Sequence, residues 1–231
     1  MSRKDRNTNE LRPISYQIDF QSHPAGSVVI TCGGTRVLCS VTTVNRVPKW
    51  ILEQKLEGGW LTAEYRMMPG ATANRSARES GSGGVGGRSQ EIQRLIGRSL
   101  RAVLDLTKIG QYTIYVDCDV IDADGGTRCA AITGSSVALS LAFERLFQQG
   151  HLSAWPMKEH VAAVSAGIVE GETRLDLCYE EDVSADVDTN IVMTSSNRYV
   201  EVQGTAEGEP FSQDQMDAMT SVVREAMPSI F

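Results

Sequence analysis

Residues 114–134, Ile-Tyr-Val-Asp-Cys-Asp-Val-Ile-Asp-Ala-Asp-Gly-Gly-Thr-Arg-Cys-Ala-Ala-Ile-Thr-Gly, change character at their midpoint. The first half is rich in β-branched and aromatic residues, the composition of a buried strand. From Arg128 small and apolar residues continue to Phe147, and Gly150 marks a stop, so the pattern predicts a long helix over 128–147. Strand and helix are joined by Asp124-Gly125-Gly126-Thr127-Arg128. Two glycines allow a sharp turn and close approach to a ligand, and the first amides of a helix are unpaired and partly positive. With the Thr127 hydroxyl and the Arg128 guanidinium at the same helix start, the segment is either an ordinary strand-to-helix turn or an oxyanion receptor of phosphate size.

The charge distribution bears on that choice. A net charge of −7 argues, for the chain as a whole, against a nucleic-acid binder. Between Pro69 and Arg101, however, six arginines (Arg75, Arg78, Arg88, Arg94, Arg98, Arg101) face only Glu79 and Glu91, a local net of +4. Between Glu170 and Asp217 acids dominate over Arg174 and Arg198. One basic and one acidic block suit an enzyme holding a polyanion on one side and a metal on the other, or are two solvated surfaces. No stretch reaches membrane-spanning length, and Met-Ser-Arg-Lys-Asp-Arg is too polar for a secretory signal. The five cysteines (Cys32, Cys39, Cys118, Cys129, Cys178) show no metal spacing, and reduced, buried thiols in a cytoplasmic protein are expected.

Along the chain, Ile14–Phe20 alternates as a strand. Ser27–Thr31 and Thr35–Val44 read as a hairpin across Gly33-Gly34, Asn45–Gly58 as a loop, and 59–65 as a further strand. Pro69 to Gly87 is a long Gly-, Ser- and Arg-rich loop, whose arginines either bind phosphates or serve an oligomer interface. Helical periodicity begins near Arg88, with Ile92, Leu95, Ile96, Val103 and Leu106 as the apolar stripe and Arg94, Arg98 and Arg101 on another face. Val161–Val169 and Arg174–Tyr179 read as a hairpin across Glu170-Gly171, followed by the acidic stretch Glu180–Asp188 and strands at Asn190–Thr194 and Tyr199–Gln203. Ser212 and Gln215 spell a capping box for a last helix, with Phe211 and Met216 as its staple. No linker or repeat divides the chain, so residues 1–231 read as one mixed α/β domain.

His23, His151 and His160 lack metal spacing and a nucleophile partner, and no P-loop is present. What remains is the anion receptor and an acidic pair. Asp182 and Asp188 either share one hard divalent ion, Mg²⁺ or Mn²⁺, or decorate an acidic turn.

Four motifs in order, Arg88-Ser-Gln-Glu-Ile-Gln-Arg-Leu-Ile-Gly-Arg, Asp117-Cys-Asp-Val-Ile-Asp-Ala-Asp-Gly-Gly-Thr-Arg, Asp176-Leu-Cys-Tyr-Glu-Glu-Asp and Glu201-Val-Gln-Gly-Thr-Ala-Glu-Gly, closely resemble the bacterial ribonuclease PH family. The resemblance runs from Leu11-Arg12-Pro13 to Pro210-Phe211-Ser212. It implies an α/β (α+β) fold of β-α-β-α type, with mixed sheets packed on central helices. It further implies a phosphate-dependent 3′→5′ exoribonuclease that trims precursor tRNA ends, releases nucleoside diphosphates and assembles as a hexameric ring, a trimer of dimers. By position, Arg88, Gly126, Thr127 and Arg128 match the family's phosphate-binding residues. Asp182 and Asp188 match its catalytic, metal-associated aspartates, and Arg75 and Arg78 match loop arginines tied to RNA binding and ring assembly. Arg94 and Arg98 are weaker candidates for the RNA backbone. Two departures stand out: Gly70 where the family has an arginine, and Lys4-Asp5 in place of Asp-Gly.

The reaction expected is phosphorolysis, which needs no strong base because phosphate is itself the nucleophile. Catalysis is then mostly positioning and charge stabilisation. A non-catalytic RNA-binding ring subunit of an exosome-like assembly is the alternative. Polynucleotide phosphorylase has two such modules plus RNA-binding domains, and this chain is too short for that.

Overall fold

The Gly33-Gly34 hairpin forms as its sequence indicates: β2 (Gly26–Cys32) and β3 (Thr35–Val44) pair antiparallel, with Cys32 opposite Thr35. The structure is a computed structural model describing residue 3, residues 6–79 and residues 84–231, so the Lys4-Asp5 departure lies outside the described residues. β1 (Ile14–Ile18), β4 (Trp60–Met67) and β5 (Thr113–Asp122) complete a five-stranded sheet of order β1-β2-β3-β5-β4. Only β4 and β5 run parallel, and parallel neighbours need a crossover. The crossover carries α2 (Gly87–Ala102), whose Ile92, Leu95, Ile96 and Leu100 are fully buried.

A second, antiparallel sheet has the order β7-β6-β8-β9, built from β6 (Val161–Val169), β7 (Glu172–Leu175), β8 (Val187–Thr194) and β9 (Tyr199–Ala206). Between the sheets runs α3 (Thr127–Gln148), packed on β2, β3 and β6. Its small residues are a packing requirement. A methyl group on Gly134 would sit 2.7 Å from Ile30 Cγ2 and 2.9 Å from Cys39 Sγ. The near-absence of a polar face on α3 thus follows from having a sheet on each side. α5 (Gln213–Ala226) buries Met219 and Val223 against the second sheet. Its start is capped as expected, with Gln215 N–H donating to Ser212 Oγ at 3.2 Å and Ser212 N–H to Gln215 Oε1 at 2.7 Å.

Three segments differ from their sequence reading. The expected loop 45–58 contains a one-turn helix, α1 (Lys49–Glu53), which buries Ile51 and sets Trp50 edge-on to Trp60 at 4.9 Å. One turn is too short for its periodicity to register. The apolar stripe from Arg88 outruns its helix: Val103 is the C-cap of α2, and Leu106 begins a separate 3₁₀ turn. The strand expected to reach Tyr179 stops at Leu175, because Asp176 turns into a left-handed conformation (φ 52°) and its N–H reaches Ser165 O at 2.6 Å. The acidic stretch that follows is α4 (Tyr179–Ser184) and the start of β8. Glu181 is buried there against Arg3, Arg6 and Arg174, which is why so acidic a segment folds back on the core.

Candidate active site

An open cleft of about 880 Å³ is lined by Arg88, Gly126, Thr127, Arg128, Asp182 and Asp188. They come from four elements: the first turn of α2, the start of α3, α4 and β8. The sequence places these residues up to a hundred positions apart, and the fold brings them to one surface.

At the α3 start, Gly125 (φ 73°) and Gly126 (φ 65°) are both left-handed, and Gly126 is the N-cap without any side-chain cap. The first α3 amides therefore have no intrahelical partner and face a site lined by cations. Thr127 is buried, with Oγ1 2.9 Å from the Tyr65 hydroxyl. Burial pushes the Tyr65 phenol up, so it stays protonated and can donate to Thr127, leaving the Thr127 proton free for an anion. Arg128 Nη1 lies 3.3 Å from Glu91 Oε2 and donates to Gln203 Oε1 at 3.1 Å, which aims the guanidinium across the cleft. Arg88 is exposed and has no ion-pair or hydrogen-bond partner among the described residues.

Opposite these cations stand the two aspartates. Desolvation by the cleft walls raises the Asp182 carboxyl, Arg88 and Arg128 pull it back down, and Glu207 adds to the rise. Asp188 is raised by desolvation and then by the neighbouring Asp182, with Arg128 opposing and Glu207 again adding. Two carboxyls in one cleft, both raised by desolvation and Asp188 also by Asp182, can hold a proton or a hard cation. Among the described residues no group of three His, Cys, Asp or Glu side chains is placed to hold a metal.

The RNA candidates lie elsewhere. Arg75, Arg78, Arg94 and Arg98 are exposed and do not line the cleft. Arg98 is engaged bidentately by Glu201 at 2.5 and 2.6 Å, and Arg101 lies 4.7 Å over the Trp60 ring and donates to Leu61 O at 2.9 Å. The expected basic face of α2 is thus partly neutralised by β9 and by stacking. A methyl group at Gly70 would meet nothing within 4 Å, so no close packing demands a glycine there. Sequence reasoning missed Tyr65, Glu91 and Gln203 as partners of the receptor and Glu207 as a third nearby acid. Glu91, Gln203 and Glu207 fell inside motifs already singled out, and Tyr65 did not.

Gly125 is where the receptor touches the acidic arm. A methyl group there would lie 2.5 Å from Leu177 O and 2.6 Å from Cys178 C. Gly125→Ala is expected to lower stability by more than the roughly 1–2 kcal/mol of a left-handed alanine, because backbone must also move. It should lose activity too, since the displaced segment leads into α4. Thermal melts and an RNA-shortening assay of the variant check this.

All five cysteines are free thiols, Cys32 half-buried and the others buried. No helix among the described residues is long and apolar enough to cross a membrane.

Fold and site together define an α/β protein in which Arg88, Arg128, the N-terminus of α3 and two aspartates line one cleft. The pattern of the 3′ exoribonuclease family, domain 1, matches residues 10–143, and that of domain 2 matches residues 160–222. Ribonuclease PH of Halalkalibacterium halodurans is 51% identical over 217 residues, covering 94% of this chain and 84% of that protein. Among solved structures, Rrp46 of rice (Oryza sativa) superposes with a TM-score of 0.77 at 21% identity, covering 98% of this chain and 94% of the other. The Archaeoglobus fulgidus exosome with RNA bound to the active site gives 0.80 at 20% identity, covering 97% and 89%. These two likenesses show the fold. The chain belongs to the 3′ exoribonuclease family, as an enzyme of the ribonuclease PH type.

Proposed function

We propose that inorganic phosphate, held by Arg88, Thr127, Arg128 and the amides after Gly126, attacks the last phosphodiester of an RNA. An oxygen of the attacking phosphate bonds to the scissile phosphorus as its bond to the 3′ oxygen of the preceding nucleotide breaks. That oxygen takes up a proton, and the terminal nucleotide leaves as a nucleoside 5′-diphosphate. The observation that carries this reading is the convergence of Arg88, the Gly126–Arg128 turn, Asp182 and Asp188 on one cleft. Arg88 and Arg128 neutralise the attacking anion, and the fixed amides and the Thr127 hydroxyl orient it, so binding and charge stabilisation are supplied before reaction begins. One aspartate of the pair, lining the same cleft, would assist transfer of a proton from water to the departing 3′ oxygen.

The same pair fits a Mg²⁺ or Mn²⁺ ion. Mg²⁺ is commonly held by one or two carboxylates while waters and substrate phosphates complete its shell, and Asp182 and Asp188 line the cleft together. Bound there, the ion would neutralise charge at the scissile phosphate. A titration follows from this. Both carboxyls are raised in the folded protein, so they favour folding below the ordinary carboxylate range and that contribution is lost as pH rises through their raised values. At neutral pH the ionised pair opposes folding, and a bound cation relieves it. The thermal midpoint should therefore rise with Mg²⁺ or Mn²⁺ at neutral pH, and the rise should shrink in acid. A midpoint indifferent to the ion at both pH values contradicts the ion site.

The natural substrate would be the 3′ end of precursor tRNA, and the working assembly a hexameric ring. Exposed Ile18 and Phe20 at and beyond edge strand β1 give apolar surface for such contacts. A non-catalytic ring subunit would need no intact receptor, and here both the phosphate residues and the aspartates stand in one cleft. RNA incubated with the protein should be shortened only when phosphate is added, with diphosphates as the released nucleotides. Nucleoside monophosphates released in phosphate-free buffer contradict the mechanism.

A further inference from the structure

Arg12 lies beneath the anion receptor, almost fully buried, in a segment 114 residues ahead of Gly126. Its fork grips Asp176, with Nε donating to Oδ2 at 3.0 Å and Nη2 to Oδ1 at 2.6 Å, and its own N–H adds a bond to Oδ2 at 2.8 Å. Asp176 is thereby fixed as a base plate. The remaining donors of Arg12 reach up to the turn: Nη1 donates to Asp124 O and Nη2 to Gly125 O at 3.5 Å. Thr35 holds the same turn from the side, with Oγ1 donating to Gly125 O at 2.6 Å and accepting from Asp124 N–H at 2.9 Å.

In a planar trans peptide the N–H points opposite to the preceding C=O. Drawing the carbonyls of Asp124 and Gly125 down toward Arg12 and Thr35 therefore turns the N–H groups of Gly125 and Gly126 the other way. Both glycines line the cleft, and neither N–H has an acceptor among the described residues. Gly126 also leaves no slack, since a methyl group on it would lie 3.0 Å from Arg12 Nη2.

We propose that Arg12, with Thr35, is the positioning device of the phosphate receptor, holding the Gly125 and Gly126 amides toward the attacking phosphate. Arg12 touches neither phosphate nor RNA. It acts through two carbonyls, and Asp176 balances its charge and fixes its plane. This rests on the reading of the turn as the phosphate site. A lysine at position 12 keeps the charge, but one ammonium cannot hold Asp176 bidentately and two carbonyls at once. A small misplacement of a binding group costs on the order of 10²-fold.

The test compares Arg12→Lys, Thr35→Val and Arg88→Ala with the wild-type chain, measuring KM for phosphate and for RNA separately. Arg12→Lys should raise the phosphate KM by about 10–100-fold, with the RNA KM and kcat at saturating phosphate changed less than about threefold. Thr35→Val, nearly isosteric and uncharged, should shift the phosphate KM in the same direction by a smaller factor, and it decides the matter if Arg12→Lys does not fold. Folded variants with an unchanged phosphate KM, or with phosphate and RNA KM shifted equally, overturn the inference. If Arg88→Ala also leaves phosphate dependence untouched, the site reading itself fails. If Arg88→Ala impairs phosphate use while folded Arg12→Lys and Thr35→Val keep the wild-type phosphate KM, only the role given to Arg12 and Thr35 falls.

Discussion

Asp188→Asn is expected to yield a folded protein that no longer shortens RNA at ordinary Mg²⁺ concentrations. Asp188 is half-buried in β8, opposite Gly167 on one side and Thr205 on the other, so the near-isosteric amide fits without moving either strand. The charge it removes is one that desolvation, Asp182 and Glu207 all disfavour. The metal-free thermal midpoint should therefore stay level or rise, the usual sign of a site that sacrifices stability for function. Activity should vanish, because the pair loses half of its charge for a hard cation. Phosphate binding should survive, since Arg88 and the Gly126–Arg128 turn come from α2 and α3. Partial rescue by more Mg²⁺, or by Mn²⁺ with its greater affinity for a weakened site, would mark the defect as one of ion binding. Phosphorolysis across a metal titration, alongside the thermal midpoint, makes the comparison. A folded variant with undiminished activity at limiting Mg²⁺ would return Asp182 and Asp188 to an ordinary acidic corner.

Arg88→Ala should be as silent for stability as Asp188→Asn, for a different reason. Arg88 is exposed in the first turn of α2 and binds no other group among the described residues, so its loss should change stability by less than about 0.5 kcal/mol. Its loss should cost about 10²–10³ in rate, the usual penalty for removing one donor to a developing charge. Arg88→Lys should stay poor, because an ammonium lacks the planar fork that matches two phosphate oxygens. Steady-state kinetics at several phosphate concentrations check this. Wild-type turnover and phosphate dependence in the alanine variant contradict the assignment.

The fold was legible where a pattern repeats over enough residues to be read. The Gly33-Gly34 hairpin, α2 and α3 were recognisable because their periods run over one or more full units. α1 and α4 were not, since each is held by contacts with distant residues, Trp50 on Trp60 and Glu181 under Arg3 and Arg174. The same division runs through the site. Arg88, Thr127, Arg128, Asp182 and Asp188 carry chemistry that their residue types announce, and the fold gathers them in one cleft. Arg12, Tyr65 and Glu91 carry their meaning only through partners: Arg12 meets Asp176 across 164 positions and Tyr65 meets Thr127 across 62. No local pattern encodes such a meeting. The converse is Arg98, a weaker candidate for the RNA backbone from its sequence, whose pairing with Glu201 across 103 positions no local pattern shows.

The central claim is that phosphate bound at Arg88 and the Gly126–Arg128 turn is the nucleophile. Supplying ³²P-labelled inorganic phosphate with unlabelled RNA tests it directly. The label should appear in the β-phosphate of every released nucleoside diphosphate, at a rate that falls about 10²–10³-fold in Arg88→Ala. Unlabelled nucleotides released from the RNA 3′ end at the full wild-type rate would contradict it.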